Sequence, residues 1–358
     1  MVKRDTILFG VLDAFPHDQI NAENTPTLWS LAQEGGWAPG GGRAILAAST
    51  YPNHATFVTG DEPTSHLIYT NRSWAGGEPR PAEEVGPATS TLFDECRAAG
   101  RKSLAFFGDQ NLVGVCGAQK ADEHWPPRGV LPDDAAKGAL GYGADRAVIE
   151  GLDGMDLTDA ELVFFQLDEV DTARHLHGPH GDEVLEQCRA TDAALGEVLE
   201  RFRSRWERTL VIVVSDHDHE AVDRGAVDLA AEVRAKGLDL RVDHEGTAAL
   251  VAGESSRSEL LALTGVEDAA LLAPGFHLVW GPPGQQYGFD WGLAAQHGSP
   301  RTMSQLAVAA GGHPAAEKIA REIGAAPPHA TSWANRVRAF LDLGDGSAPR
   351  ASGSDARS

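Results

Sequence analysis

Acidic side chains and histidines follow three apolar segments of the sequence, at the points where the segments end. Asp13 comes directly after TILFGVL, and the stretch after LVFFQL carries Asp171 and His175 at an i, i+4 interval. Ser-Asp-His after LVIVV supplies Asp216 and His217. Carboxylates and imidazoles with few thiols are the ligands that zinc takes in proteins, and manganese or another divalent ion is the alternative.

Each of these residues has another interpretation when it is taken alone. A single acid after a strand, such as Asp13, commonly caps a helix. An i, i+4 pair such as Asp171 and His175 is typical of an exposed helix face. His297, in AAQHGSP, carries little information by itself. Taken together, the carboxylates and imidazoles predict a metal site.

The segment STYPNHATFVTG, Ser49 to Gly60, places a threonine directly before an aromatic-Pro-Asn sequence and a short apolar helix. A threonine at a helix start is typically the cap, whose hydroxyl accepts a hydrogen bond from a free backbone N–H. The other interpretation of Thr50 is a nucleophile, because a helix N-terminus stabilises an anion. Both interpretations remain open at this point.

Apolar runs and helical patterns alternate along the chain. The runs typical of buried parallel strands are Thr6–Leu12, Ser103–Phe107, Leu162–Leu167, Leu210–Val214 and Thr247–Val251. Between them, Thr25-Pro26 predicts a helix start, and the apolar repeat over Asp182–Phe202 predicts a helix that packs on the sheet. The alternation predicts an α/β fold with a mostly parallel central sheet and helices on both faces. Functional groups in such sheets lie beyond the carboxyl ends of the strands.

We expect residues 1–343 to form a single domain, because no repeat or linker divides them. The segments 70–86 and 122–143 are rich in Pro, Gly and charged residues, which predicts loop insertions over the site. The composition of 344–358 predicts a disordered tail.

The chain has 358 residues and a formal net charge of -22. This charge argues against a nucleic-acid polymer as partner, whereas a small anionic substrate can still bind where a metal supplies positive charge. No apolar stretch approaches the length of a membrane span, so we expect no membrane partner. Cys96, Cys116 and Cys188 are odd in number and lack metal spacing, which favours free thiols in a reducing cytoplasm. The sequence indicates no oligomeric state.

In combination the motifs resemble the alkaline phosphatase superfamily, and within it the nucleotide pyrophosphatase/phosphodiesterase (type I phosphodiesterase) branch. The resemblance runs in order from Asp13 to about Leu341. It rests on VLDAF, STYPNHATFVTG, Asn71 after SHLIYT, DTARHLHGP, SDH and HGSP. It implies an alkaline-phosphatase-like fold and two bound zinc ions. The implied ligands are Asp171, His175 and His297 for one ion, and Asp13, Asp216, His217 and the Thr50 oxygen for the other.

The resemblance also implies that Thr50 is the nucleophile of a covalent phospho-threonine mechanism. Asn71 and the backbone N–H of Thr50 would hold a phosphate oxygen. Tyr51 occupies the aromatic position that lies against the base in nucleotide-cleaving relatives, and ordinary packing beside the helix start is its alternative.

The expected activity is hydrolysis of a small, nucleotide-type phosphodiester or pyrophosphate. Related monoesterases add Lys or Arg for the dianion, and Arg72, Arg128 and Lys137 form no Lys-x-Arg motif, which favours a diester. The alternatives are a phosphomonoesterase, a phosphonoacetate-type phosphonate hydrolase on the same two-zinc site and, more remotely, an inactive metal-bound binding module. The sequence departs from the family at Asp218, which replaces the usual glycine and is followed by His219.

Overall fold

The structure, a computed structural model, describes residues 4–344. Apart from Gly344, the predicted tail of 344–358 lies outside the described residues. The strands are β1 Thr6–Leu12, β2 Gly36–Trp37, β3 Gly42–Arg43, β4 Arg72–Ser73, β5 Arg80–Pro81, β6 Ser103–Phe107, β7 Glu123–Trp125, β8 Leu162–Leu167, β9 Thr209–Val214, β10 Glu220–Ala221, β11 Arg241–Glu245, β12 Ala248–Ala252, β13 Asp268–Ala273, β14 Phe276–Trp280, β15 Ala295–Gln296, β16 Ser304–Gln305 and β17 Ala307–Ala310. The α-helices are α1 Pro26–Glu34, α2 Thr50–Thr59, α3 Pro63–His66, α4 Ala82–Val85, α5 Leu92–Ala99, α6 Leu112–Val115, α7 Asp145–Asp153, α8 Glu169–His177, α9 Asp182–Glu200, α10 Leu229–Ala235, α11 Arg257–Leu261, α12 Ala315–Ala325 and α13 Ser332–Leu341.

The central sheet has seven strands in the order β2-β17-β9-β1-β8-β6-β7. The five strands from β9 to β7 are parallel, β17 runs antiparallel to β9, and β2 pairs antiparallel with β17 at the edge of the sheet. β1 lies between β8 and β9, with Val11 opposite Gln166 on one side and Val214 on the other. The prediction of an α/β fold with a mostly parallel sheet is therefore confirmed.

Both faces of the central sheet are covered because β1, β8 and β9 are apolar at nearly every position. Alternate residues of a strand point to opposite faces. Ile7 and Phe9 pack in a core with α2, α5, α12 and α13, whereas Leu8 and Leu12 pack with α1, α7 and α9. The predicted helices at Pro26 and over Asp182–Phe202 are present as α1 and α9.

A second sheet of four antiparallel strands, in the order β11-β12-β14-β13, lies outside the central one. The prediction that Thr247–Val251 belongs to the parallel sheet was wrong, because these residues form most of β12. Ala249 and Val251 are buried in one core and Leu250 and Ala252 in another, so both faces of β12 are covered. A continuous apolar run indicates two covered faces and leaves the strand's sheet undetermined.

The two segments rich in Pro, Gly and charge contain short elements. Segment 70–86 holds the two-stranded pair β4–β5 and the helix α4, and segment 122–143 begins with the edge strand β7. Across residues 4–344, no helix combines the length and apolarity that crossing a bilayer requires.

Candidate active site

The strand order of the central sheet gathers the predicted acids at one edge. Asp13 follows β1, Asp216 follows β9 and α8 begins just after β8. These three strands are parallel neighbours, so their carboxyl ends lie at the same edge of the sheet. α8 carries Asp171 and His175 on one face, one turn apart. The structure thus brings together residues that lie about 200 positions apart in the sequence.

Thr50 is the first residue of α2, and its interpretation as the helix cap was wrong. The cap is Ser49, whose hydroxyl makes no bond to the helix and instead donates to Glu245 Oε1 at 2.6 Å. The Thr50 Oγ1 atom lies 3.1 Å from His217 Nε2. The threonine hydroxyl therefore faces the metal-ligand candidates at the positive end of a ten-residue helix.

Around Thr50, the side chains predicted for one ion lie within ligand distance of one another. His217 Nε2 is 3.4 Å from Asp216 Oδ2 and 3.6 Å from Asp13 Oδ1. Two ligands of one tetrahedral zinc ion, each about 2.0–2.1 Å from it, lie roughly 3.3 Å apart. The spacing fits a shared divalent ion. Asp13 belongs to two such groups, one with His54 and Asp216 and the other with Asp171 and His217.

The second group of ligand candidates contains Asp171, His175 and His297, as predicted, and also His219. One ligand atom from each of the four lies within 4.8 Å of every other. Asp171 Oδ2 is 3.3 Å from His175 Nε2. His175 Nδ1 lies 2.9 Å from the carbonyl oxygen of Ala295, so we assign the proton to Nδ1, which leaves the Nε2 lone pair for an ion.

Unpaired buried atoms support the fit to divalent cations. Within residues 4–344, Asp13 Oδ1, Asp216 Oδ2 and His297 Nδ1 are buried and have no hydrogen-bond partner. Burial and the neighbouring carboxylates Asp216 and Asp171 raise the pKa of Asp13 well above its usual value. A cation between these groups would offset both effects, because buried charge needs a partner.

Two residues that the sequence interpretation passed over hold the site in place. His54 Nδ1 lies 2.9 Å from the Thr50 carbonyl oxygen and 3.5 Å from Asp216 Oδ2. Gln166 Nε2 donates to Asp13 Oδ2 at 2.8 Å and to Asp168 Oδ1 at 3.1 Å. His54 stands four residues after Thr50 inside the nucleophile segment, and this spacing was the available signal. For Gln166, a polar residue inside a buried strand was the signal.

A third missed residue, Glu245, lies beside the start of α2, next to Thr50. Its carboxylate accepts from the Ser49 hydroxyl at 2.6 Å and from the Asn71 backbone N–H at 3.1 Å. Burial raises the pKa of Glu245 to about 7. No local sequence signal indicates this contact, because the partners are 196 and 174 residues away.

A pocket of about 930 Å³ opens above these groups. Its lining includes Thr50, Asn71 and Tyr51, so the structure brings the predicted substrate-binding residues to the same cavity. Tyr51 is 8% exposed and its hydroxyl accepts from Asn111 Nδ2 at 2.7 Å, which fixes the ring beside the helix start. Asp109 also lines the pocket, and burial raises its pKa to about 7.

Lysine and arginine are absent from the pocket lining in the part of the chain that the structure describes. Arg72 lies nearby and faces Asp243 at 3.9 Å. Arg174, one residue before His175, is fully buried, where it donates to the Ala14 carbonyl oxygen and pairs with Asp218. The unusual Asp218 therefore neutralises a buried arginine beneath the site and leaves the pocket itself acidic.

The fold and the site define an α/β protein with candidate metal-ligand groups at the carboxyl ends of its central parallel strands. A family model described as Type I phosphodiesterase / nucleotide pyrophosphatase matches residues 6–268. The chain therefore belongs to that family, whose members hydrolyse phosphoester bonds.

Individual relatives match part of the chain at low identity. Venom phosphodiesterase of Macrovipera lebetinus is 27% identical over 193 residues, covering 50% of this chain and 21% of that protein. Ectonucleotide pyrophosphatase/phosphodiesterase family member 1 of Rattus norvegicus is 24% identical over 190 residues, covering 50% and 20%. The matched region is thus about a fifth of these relatives' own length.

Solved structures match nearly the whole chain. An inactive threonine-to-alanine variant of murine ectonucleotide pyrophosphatase/phosphodiesterase 5, in complex with AMP, gives a TM-score of 0.70 at 14% identity over 95% of this chain and 96% of that one. The human protein of the same name gives a TM-score of 0.70 at 12% identity over 94% and 95%. At this identity the likeness establishes the fold.

Proposed function

We propose that the protein hydrolyses a small, nucleotide-type phosphodiester or pyrophosphate through a covalent intermediate on Thr50. The observation that carries the proposal is the position of the Thr50 hydroxyl, 3.1 Å from His217 Nε2 and on the wall of an acidic pocket. We propose two divalent cations as cofactors, with zinc preferred for this set of carboxylates and imidazoles.

The predicted ligand sets fit these cations in distance and in donor chemistry. Asp171, His175 and His297 would hold one ion, and Asp13, Asp216, His217 and the Thr50 oxygen the other. Such ions lower the pKa of a hydroxyl and neutralise the charge that develops on phosphorus-bound oxygens. Without them the pocket would repel an anionic substrate, since its lining contains several carboxylates.

The Thr50 oxygen attacks phosphorus in line with the leaving group. A Thr50 O–P bond forms while the bond from phosphorus to the leaving oxygen breaks, and that oxygen departs with the bonding electrons. In the second step a water oxygen bonds to phosphorus while the Thr50 O–P bond breaks. Over the two steps the Thr50 hydroxyl proton passes to the leaving oxygen or to solvent, and a proton of the attacking water returns to the Thr50 oxygen, so one water is consumed and the threonine is restored. His54 would hold the backbone of Thr50 through the Thr50 carbonyl, and Asn71, which lines the pocket, would donate to a non-bridging oxygen.

The pocket favours a diester over a monoester. A monoester dianion carries more charge, and neither Lys nor Arg lines the described pocket to receive it. Phe289 and Trp291 are 69% and 72% exposed and line the same pocket, with ring centroids 4.8 Å apart. These rings support binding of a flat nucleoside base, and AMP in the murine relative is consistent with it.

We also propose a reducing, cytoplasmic location. The support is that Cys96, Cys116 and Cys188 are all buried free thiols in the described chain. Free buried thiols are typical of proteins from reducing compartments.

The test compares hydrolysis of bis(p-nitrophenyl) phosphate with that of p-nitrophenyl phosphate by the zinc-loaded protein. We expect diester turnover to exceed monoester turnover, and Thr50→Ala to lower diester turnover by at least about 1,000-fold because the nucleophile is lost. Thr50→Ser keeps a hydroxyl and should retain part of the activity.

The matched control is Thr64→Ala, which removes an exposed threonine from the next helix, α3. It should leave both rates unchanged. Faster monoester turnover would contradict the diester assignment and point to Arg72, Arg128 or Lys137 as a missed cation. Full diester turnover by Thr50→Ala would contradict the covalent mechanism.

A further inference from the structure

We propose that His219 is a fourth protein ligand of the ion held by Asp171, His175 and His297. This inference rests on the proposed function, in which a divalent ion occupies that group. It adds a residue outside the three ligands that the family resemblance implies for this ion. The ion would then be bound by one carboxylate and three imidazoles.

The geometry around Asp171 carries the inference. His219 Nε2 lies 2.8 Å from Asp171 Oδ1, while His175 Nε2 lies 3.3 Å from Asp171 Oδ2. The His219 ring centroid is 4.5 Å from that of His175 and 5.1 Å from that of His297. One ligand atom from each of the three imidazoles and the carboxylate lies within 4.8 Å of every other, and the two distances to Asp171 are near the roughly 3.3 Å of tetrahedral zinc ligands.

Hydrogen bonding accounts for the His219 ring only in part. The Asp171 carboxylate is the partner of Nε2, but Nδ1 is buried and without a partner in residues 4–344. The residue is 6% exposed, so water does not freely satisfy that atom. The hydrogen bonding of this buried ring is therefore incomplete, and one ligand atom of His219 lies within 4.8 Å of one from each of the three other residues.

The chain between β9 and β10 explains how the imidazole reaches the site. His217 and His219 are two residues apart and both face the metal groups, with ring centroids 5.6 Å apart. The side chain of Asp218, between them, pairs instead with the buried Arg174. It also accepts a hydrogen bond from the His219 backbone N–H at 2.8 Å. The Asp218–Arg174 pair thus holds the backbone so that His217 serves one ion and His219 the other.

Four protein ligands would fill the tetrahedral coordination of zinc, as in closed structural sites. This ion should therefore bind more tightly than the one held near Thr50. A substrate oxygen would have to enter as an additional ligand. The consequence is a difference in zinc affinity between the two sites that depends on His219.

The test is a zinc titration of the chelator-stripped protein against a competing chromophoric chelator. Wild type should bind two ions, and His219→Ala should weaken one of them by more than about 100-fold, beyond the 10–100-fold typical of a lost outer hydrogen bond. His219→Gln keeps an N–H donor for Asp171 but supplies no imidazole, so its zinc affinity at this site should be as low as that of His219→Ala. His180→Ala removes an exposed imidazole after α8 and should match wild type.

Restored affinity in His219→Gln would overturn the proposal and make His219 a positioning residue for Asp171. Unchanged affinity in His219→Ala would also overturn it. X-ray absorption of wild type with one equivalent of zinc gives an independent answer that needs no variant. Three imidazoles around the ion support the proposal, and two contradict it.

These outcomes separate the inference from the proposed function. No zinc binding by wild type would contradict the proposed metal centre itself. Two bound ions with no dependence on His219 would contradict the inference alone. Hydrolysis is not part of either readout.

Discussion

At the scale of single residues, a buried carboxyl that is not among the metal-ligand candidates supports the backbone on both sides of the pocket. Glu245 joins the two sides of the pocket, since one oxygen accepts from Ser49 beside Thr50 and the other from the backbone of Asn71. Burial raises the pKa of Glu245 to about 7 from an ordinary value of 4.5. Below pH 7 the protonated form is therefore favoured in the folded protein.

This raised pKa predicts how the stability of the metal-free protein depends on pH. Between about 4.5 and 7 the native state binds more protons at Glu245 than the unfolded state, so stability falls as pH rises through this window. The cost is absent below pH 4.5 and complete above 7, where it is on the order of 3 kcal/mol. Glu245→Gln cannot ionise, so its unfolding free energy should not fall for this reason as the pH rises.

Urea denaturation from pH 4.5 to 8 measures the effect. The difference in unfolding free energy between Glu245→Gln and wild type should change in favour of the variant as pH rises. Glu23→Gln, at an exposed position, is the control and should run parallel to wild type. If the unfolding free energy of Glu245→Gln also ran parallel to that of wild type across this pH range, the raised pKa assigned to Glu245 would be contradicted.

The sequence predicted the metal-ligand candidates better than the residues that support them. Asp13 and the Asp216–His217 pair were identifiable because each directly follows an apolar strand, and the fold class gathers strand ends. Glu245 was not identifiable from the sequence, because its hydrogen bonds to Ser49 and Asn71 form only when the end of β11 lies against the start of α2. Sequence proximity carries no information about that contact.

At the scale of elements, the close approach of β1 and β8 sets the spacing of the site. Gly10 in β1 lies opposite Phe165 in β8, and a Cβ atom at Gly10 would come 2.4 Å from the Phe165 ring. Phe165 is itself stacked on Phe106 with centroids 5.3 Å apart, so it has little room to move. A side chain at position 10 would force these strands or rings apart.

Gly10→Ala should therefore lower the free energy of unfolding by about 1–3 kcal/mol through overpacking. Chemical denaturation measures it. Gly40→Ala is the matched control, because no atom lies within 4 Å of a Cβ there, and it should be nearly neutral. A Gly10→Ala protein as stable as Gly40→Ala would contradict the packing described for β1. Adding Phe165→Leu to Gly10→Ala should recover part of the loss.

Element prediction succeeded where apolar runs were long and failed where they were short or alanine-rich. All five predicted runs form strands, yet β12 belongs to the outer sheet because its two faces are buried there instead. β2, β7 and β17 extend the central sheet and were not predicted. β7 is only three residues long, and the short AVAA run of β17 lacks the bulky residues that mark a strand.

At the scale of the whole molecule, charge and topology impose one requirement on catalysis. The chain carries a formal net charge of -22, and the pocket lining contains the carboxylates of Asp109, Asp168, Asp171, Asp243 and Glu245. Under the proposed function, an anionic phosphoester would therefore need bound cations that reverse the local potential. The fold persists at 12–14% identity to the solved relatives, so the arrangement of strand ends outlasts most of the sequence.

The most direct test of the account is the stereochemistry of hydrolysis at phosphorus. The zinc-loaded protein would hydrolyse a phosphorothioate nucleoside p-nitrophenyl diester of known configuration in ¹⁸O-labelled water. Each in-line displacement inverts the phosphorus centre, so attack by Thr50 followed by attack of water predicts net retention. Net inversion would mean a single displacement by water and would contradict the covalent role of Thr50.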